Sequence, residues 1–125
     1  MKMLIDTSAL LDVYAGSQRG EQVKQLLAES TATFTTSLNA YEAKVWLLRR
    51  FEAGKVARAL EDMLATVRVL PVPLASALEA ADVRRKNQAL SAVDCNSYAV
   101  AQAHGLLFVT ADRDFATLPN VKILT

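Results

Sequence analysis

The chain has almost no thiol or imidazole chemistry to offer. Its 125 residues hold one cysteine, Cys95, and one histidine, His104. A lone cysteine excludes an internal disulfide, and a reducing compartment is the simplest reading. An excess of charge of one sign is also missing. Fourteen basic residues face thirteen acidic ones, for a net charge of +1. That excludes a strongly basic nucleic-acid binder on global charge, while leaving local patches open. Long apolar runs are absent too. No stretch approaches the ~18 uncharged apolar residues that a membrane span needs. Met1-Lys2-Met3-Leu4-Ile5 meets Asp6 before such a run develops. That segment is too short for a signal peptide and reads as a strand. The expectation is a soluble cytoplasmic protein with no membrane partner. No repeat, low-complexity segment or linker is visible, so residues 1–125 are expected to form a single domain.

Hydrophobic residues make up 52% of the chain and charged residues 22%, an ordinary globular balance. A chain of this length can bury roughly two-thirds of its unfolded surface. Met3-Leu4-Ile5 suits a short strand, and Ala9 to Tyr14 is helical in pattern until Gly16-Ser17 breaks it. Glu21 to Glu29 forms a second helical run, and Ala32 to Thr36 has a strand composition. Asn39 to Phe51 reads as a helix with Val45, Trp46 and Leu48 at helical spacing, interrupted by Gly54. Val56 to Leu64 is helical, and Val67 to Val72 is a strand closing at Pro71 and Pro73. Leu74 to Asn87 reads as a helix with Leu78, Ala81 and Val83 inward. Ala92 to His104 is a helix ending at Gly105, with His104 read as a C-terminal helix residue, a position that suits basic side chains. Leu106 to Thr110 is apolar enough for a buried parallel strand, and Val121 to Leu124 is a last short one. This alternation predicts an α/β fold, a central parallel sheet with helices on both faces. In such sheets ligands bind beyond the carboxyl ends of the strands.

Four carboxylates fall at that edge. Asp6 follows the first strand, and Asp112 follows Thr110 by two residues. Glu42 and Asp94 lie near the starts of helices that begin on the same side. Each has a bland explanation. Asp6 can cap a helix, Asp112 a turn, and Asn39–Glu42 and Ser91–Asp94 both fit a capping box. Capping accounts for one acid per helix, not for four acids at one edge. Convergent carboxylates repel and raise one another's pKa, which a cation relieves. Mg²⁺ prefers carboxylate and water oxygens. It can activate water and stabilise charge in phosphodiester displacement, with no histidine or cysteine nucleophile. Cys95 is read as a small buried residue, since Mg²⁺ avoids sulfur. Asp12, six residues beyond Asp6, is too far along its helix to join the set.

Four segments resemble those of PIN domains: Leu4-Ile5-Asp6-Thr7-Ser8, Ser37-Leu38-Asn39-Ala40-Tyr41-Glu42, Ser91-Ala92-Val93-Asp94 and Val109-Thr110-Ala111-Asp112-Arg113-Asp114-Phe115. Their order and spacing are similar to VapC-type toxins of toxin–antitoxin pairs. The resemblance implies a PIN-like three-layer fold and an endoribonuclease using Mg²⁺ or Mn²⁺. It implies an RNA substrate, inhibition by a cognate antitoxin and a homodimer. Asp6, Glu42, Asp94 and Asp112 would be the metal-holding catalytic acids, with Asp114 an auxiliary one. Thr7, Ser8 and Thr110 would orient the carboxylates or metal-bound waters. Hydrolysis would leave a 5′-phosphate. Lys44, Arg49-Arg50 and Arg84-Arg85-Lys86 are candidates for gripping the phosphate backbone, or simply solvated helix faces. Tyr14, Trp46, Leu47 and Phe51 are candidates for an antitoxin groove, or ordinary core. A response-regulator receiver fits poorly, because Asp6 lacks a paired acid and Thr36 and Pro71 follow the middle strands. An aspartyl-nucleophile phosphatase fits poorly, because Ser8 stands where a second aspartate is needed. A non-toxin or non-catalytic PIN module that binds RNA or protein remains the alternative.

Overall fold

The computed structural model describes all 125 residues. The elements run β1 (Lys2–Ile5), α1 (Thr7–Ala15), α2 (Gln18–Glu29), β2 (Ala32–Thr36), α3 (Ser37–Leu48), α4 (Ala53–Ala65) and β3 (Arg68–Leu70). They continue with α5 (Leu74–Lys86), α6 (Ala92–Ala103), β4 (Leu107–Thr110), a 3₁₀ turn (Arg113–Phe115) and β5 (Val121–Ile123). All strand pairs are parallel, in the order β3-β2-β1-β4-β5. The chain winds outward from β1 through β2 and β3, then crosses to β4 and β5 on the other side. β1 is therefore the centre of the sheet, and the winding reverses between β1 and β4. In open parallel sheets such a reversal, at the carboxyl ends of the two strands, is where ligands bind.

Side chains alternate across each strand, so the sheet serves two cores. Met3, Ile5 and Val109 face one of them, packing with Leu10 of α1, Val23 of α2, Leu47 of α3 and Val56 of α4. Leu4 and Phe108 face the other, with Ala80 of α5, Tyr98 and Val100 of α6, and Phe115. There Phe108 and Phe115 have ring centroids 4.7 Å apart, and Tyr98 meets Phe108 edge-on at 5.6 Å. The Tyr98 hydroxyl donates to the Pro119 carbonyl at 2.8 Å. The expected three-layer α/β architecture is what forms.

Several helix faces differ from the sequence expectation. α3 buries Asn39, Ala43 and Leu47, while Trp46 and Leu48 are exposed. α5 buries Ser76 and Ala80, with Val83 half-buried, while Leu78 and Ala81 face solvent. Both helices carry apolar residues on more than one face, so periodicity alone does not select the covered one. Gly54 sits inside the first turn of α4 instead of breaking the preceding helix. The break falls at Arg49–Glu52.

Candidate active site

Asp6 leaves the central strand and becomes the N-cap of α1. Its backbone N–H still donates to Val109 of β4 at 3.1 Å, so the carboxylate is pinned at the switch point. Oδ1 accepts from Ser8 Oγ at 2.7 Å and from the Ala9 N–H at 3.0 Å, and Oδ2 accepts from Thr110 Oγ1. The same two hydroxyls also accept from backbone just beyond β4. Ser8 Oγ accepts from the Ala111 N–H at 3.2 Å, and Thr110 Oγ1 accepts from the Asp112 N–H at 3.0 Å. Ser8 and Thr110 thus orient Asp6 as the sequence suggested. Thr7 does not touch a carboxylate; it receives a hydrogen bond from Asn39 Nδ2 at 3.0 Å.

Asp6 is buried, and burial pushes its pKa from an ordinary 3.8 up to about 6. The hydrogen bonds from Thr110, Ala9 and Ser8 oppose that shift, and the charge of Asp94 adds to it. Asp94 is the one other acid acting on Asp6, and no cation offsets the Asp6 charge. The protein contains two ion pairs, Arg19–Asp12 at 3.1 Å and Lys24–Glu21 at 3.3 Å, and neither involves the four acids. Asp12, set aside on spacing, is thus occupied elsewhere.

Asp94 lies in the first turn of α6 within a true capping box. Its N–H donates to Ser91 Oγ at 3.1 Å, and its Oδ2 accepts from the Ser91 N–H at 3.0 Å. Ser91→Ala is expected to cost about 1 kcal/mol, the usual value of such a cap, read as a lowered urea midpoint. The second expected capping box forms in a different place. Thr36 is the N-cap of α3 and Asn39 its partner, which moves Glu42 into the second turn. Glu42 is half-buried there. Asp112 caps the 3₁₀ turn, its Oδ1 accepting from the Asp114 N–H at 2.9 Å. Asp114 is exposed.

The donor chemistry fits a hard divalent cation. The edge offers oxygen ligands, and a buried carboxylate with a second negative charge acting on it lacks any compensating cation. The side chains as they stand do not close around one point, for no three of them are placed to share a single ion. Asp94 and Asp112 each spend a carboxylate oxygen on a cap, which accounts for part of that openness.

The basic residues that the sequence offers for a phosphate backbone differ in what they touch. The guanidinium of Arg50 stacks 3.7 Å from the Trp46 ring centroid and donates to the Trp46 carbonyl at 2.9 Å. It is committed to that contact. Arg84 lies close enough to α6 to offset part of the upward push that burial and Asp94 give the Cys95 thiol. Cys95 itself is buried, and His104 is the C-cap of α6, both as read from the sequence.

Sequence reasoning missed a set of buried polar side chains beneath the acids. Asn39 Oδ1 accepts from Thr36 Oγ1 at 2.7 Å and from Ser97 Oγ at 2.8 Å. Only the tertiary structure brings these together, although Asn39 lies one turn before Glu42 and Ser97 one turn after Asp94.

A five-stranded parallel sheet, helices on both faces and acids at the carboxyl ends of β1 and β4 define an α/β protein of the PIN class. Residues 3–121 match the PIN domain family, and the chain belongs to that family. Its fold is that of VapC-like toxins of toxin–antitoxin systems. Mycobacterium tuberculosis VapC20, a sarcin-ricin loop cleaving toxin, is 24% identical with a TM-score of 0.78, over 98% of this chain and 99% of that one. Rickettsia felis VapBC2, solved bound to a promoter DNA fragment, is 14% identical with a TM-score of 0.81, over all of both chains. A toxin–antitoxin complex from Klebsiella pneumoniae is 23% identical with a TM-score of 0.76, over 96% of this chain and 95% of that one. No curated protein sequence matches.

Proposed function

We propose that the protein is a Mg²⁺- or Mn²⁺-dependent endoribonuclease, the toxin of a VapBC-type pair, acting as one PIN domain over residues 1–125. The observation that carries this reading is Asp6. A capping aspartate needs neither deep burial nor a second acid nearby, yet Asp6 has both and no cation. PIN domains are generally nucleases, which supports the same reading. Asp6, Glu42, Asp94 and Asp112 would hold the ion, with Asp114 joining through water. When bound, the ion supplies charge stabilisation at a phosphodiester and a more acidic water. The chain's own residues set the geometry. Ser8 and Thr110 fix the plane of the Asp6 carboxylate, and the Ser91 box holds Asp94. Lys44 and the Arg84–Lys86 cluster would attract the phosphate backbone.

The test is incubation of RNA with the protein in Mg²⁺ or Mn²⁺, beside Asp6→Asn and Asp94→Asn. Cleavage leaving 5′-phosphates is expected, lost on adding EDTA. Each variant should lose about 10²-fold or more, the scale of removing one group that stabilises transition-state charge. Equal cleavage by the variants refutes the site, and cleavage surviving EDTA refutes the metal. A folded protein that cleaves nothing favours the non-catalytic alternative.

A toxin also needs an antitoxin surface. A groove of about 290 Å³ is lined by Tyr14, Leu47, Phe51 and Val56, with Lys55 and Arg58 also lining it. Its chemistry suits an antitoxin segment with apolar anchors and acidic flanks. Trp46 lies outside this lining, stacked on Arg50. A second copy of the chain would cover α5, where Leu74 is 76% and Leu78 63% exposed. Leu78→Glu is expected to convert a dimer to a monomer in light scattering. A wild-type protein that is already monomeric would refute that interface. No helix is long and apolar enough to cross a membrane.

A further inference from the structure

The buried amide of Asn39 is not needed to fill space. Its side chain is 1% exposed, and its polar partners Thr36 and Ser97 are fully buried. A leucine has the same branched shape and asks for no partner. Buried polar groups cost free energy unless they are bonded, and here they are bonded throughout. Asn39 Nδ2 donates to Thr7 Oγ1 at 3.0 Å. Asn39 Oδ1 accepts from the Thr36 N–H at 3.2 Å, from Thr36 Oγ1 at 2.7 Å and from Ser97 Oγ at 2.8 Å. Thr36 and Ser97 hydroxyls also meet at 3.2 Å. No atom of this group is left without a partner.

The positions of these residues matter more than their number. Thr7 follows Asp6 directly. Asn39 lies three residues before Glu42 on α3, and Ser97 three residues after Asp94 on α6. Residues three apart on a helix share a face. The knot therefore joins α1, α3 and α6 within one turn of three of the four acids. Hydrogen bonds fix direction as well as distance, which adds to the register that close packing already sets. Mg²⁺ demands near-ideal octahedral geometry, and functional sites need their groups held within about 0.5 Å.

We infer that Asn39 is a positioning residue that, through Thr7, Thr36 and Ser97, holds α1, α3 and α6 in the register from which the side chains of Asp6, Glu42 and Asp94 close on a divalent cation. It touches neither ion nor substrate. This inference rests on the metal reading of the acids given above.

The test measures Mn²⁺ binding by isothermal titration, with thermal melts of each metal-free protein alongside. Asn39→Leu removes the hub while keeping the branched shape, and Thr36→Val removes one hydroxyl. Both are expected to weaken Mn²⁺ binding about 10- to 100-fold, the usual effect of losing an outer partner of a metal ligand. Thr36→Ser keeps the hydroxyl and should restore most of the affinity. Val23→Ala, in the core on α2, supplies a loss of stability away from the acids and should leave Mn²⁺ affinity unchanged in the folded protein. Asn39→Leu binding Mn²⁺ as the wild type does, or Thr36→Ser falling with Thr36→Val, would overturn the positioning role alone. A wild-type protein that binds no Mn²⁺ would overturn the metal reading and this inference together.

Discussion

Asp6→Asn is expected to stabilise the metal-free protein at neutral pH while removing divalent-ion binding. Burial raises the Asp6 pKa from 3.8 to about 6 in the folded chain. The folded protein thus binds more protons than the unfolded chain between those values. The contribution of this group is fully present below the unfolded value and is lost as pH rises through about 6. The shift corresponds to about 3 kcal/mol at ~1.4 kcal/mol per unit. The neutral amide avoids that cost but turns a donor toward Thr110, whose hydroxyl already accepts from the Asp112 N–H. One imperfect hydrogen bond takes back about 1 kcal/mol, which leaves a net gain of about 2 kcal/mol. In EDTA at pH 7.5 the variant should therefore melt roughly 5–10 °C above the wild type. The gap should close as pH is lowered through 6 toward 4, where wild-type Asp6 becomes neutral as well. A gap that does not change with pH would show that burial of the Asp6 charge is not its source. With Mn²⁺ present the order should reverse, because only the wild type gains stability from the ion.

Gly20→Ala is expected to destabilise the protein by about 2 kcal/mol or more, because overpacking against backbone outweighs the gain in helix propensity. Gly20 lies in the first turns of α2, where α1 crosses closely. A Cβ there would overlap the backbone carbonyl oxygen of Asp12 and stand 2.9 Å from its carbon. In an isolated helix alanine would be better than glycine by about 1 kcal/mol. Here the obstacle is main chain, which cannot rotate aside, and the same oxygen accepts from Ser17 at the corner between the helices. The two helices would have to separate. A lower urea midpoint with an unchanged slope is the expected signature. A midpoint at or above that of the wild type would show that α1 and α2 move apart easily.

Much of the fold was legible because its signals are local. Gly16 and Gly105 stand at helix ends with φ of 67° and 65°. The apolar runs of β1 and β4 are long enough to be strands buried on both faces, and strand–helix alternation implies a parallel sheet. The burial pattern of α3 and α5 was not legible. Leu48, Leu78 and Ala81 look like core residues on composition and face solvent in the structure, because each helix meets the body of the protein along a narrow stripe. Asn39 shows the opposite case. A polar residue near a helix start reads as a cap, and it does bond the N-cap backbone, but its carbonyl and amide also reach Ser97 and Thr7 on two other helices.

The positions of Asp6 and Asp112 follow from the sequence alone, since each lies within two residues of the end of an apolar run that must be a strand. The family follows too, from four short segments in order. What tertiary structure decided is which acid acts on which. Asp94 adds to the charge burden of Asp6 because the fold brings the first turn of α6 within electrostatic reach of the end of β1, across 88 positions of sequence. Burial, likewise, belongs to the whole molecule. The sequence places a carboxylate at a strand end, but only the packing of α1 against β4 withdraws it from water and leaves its charge in need of a partner.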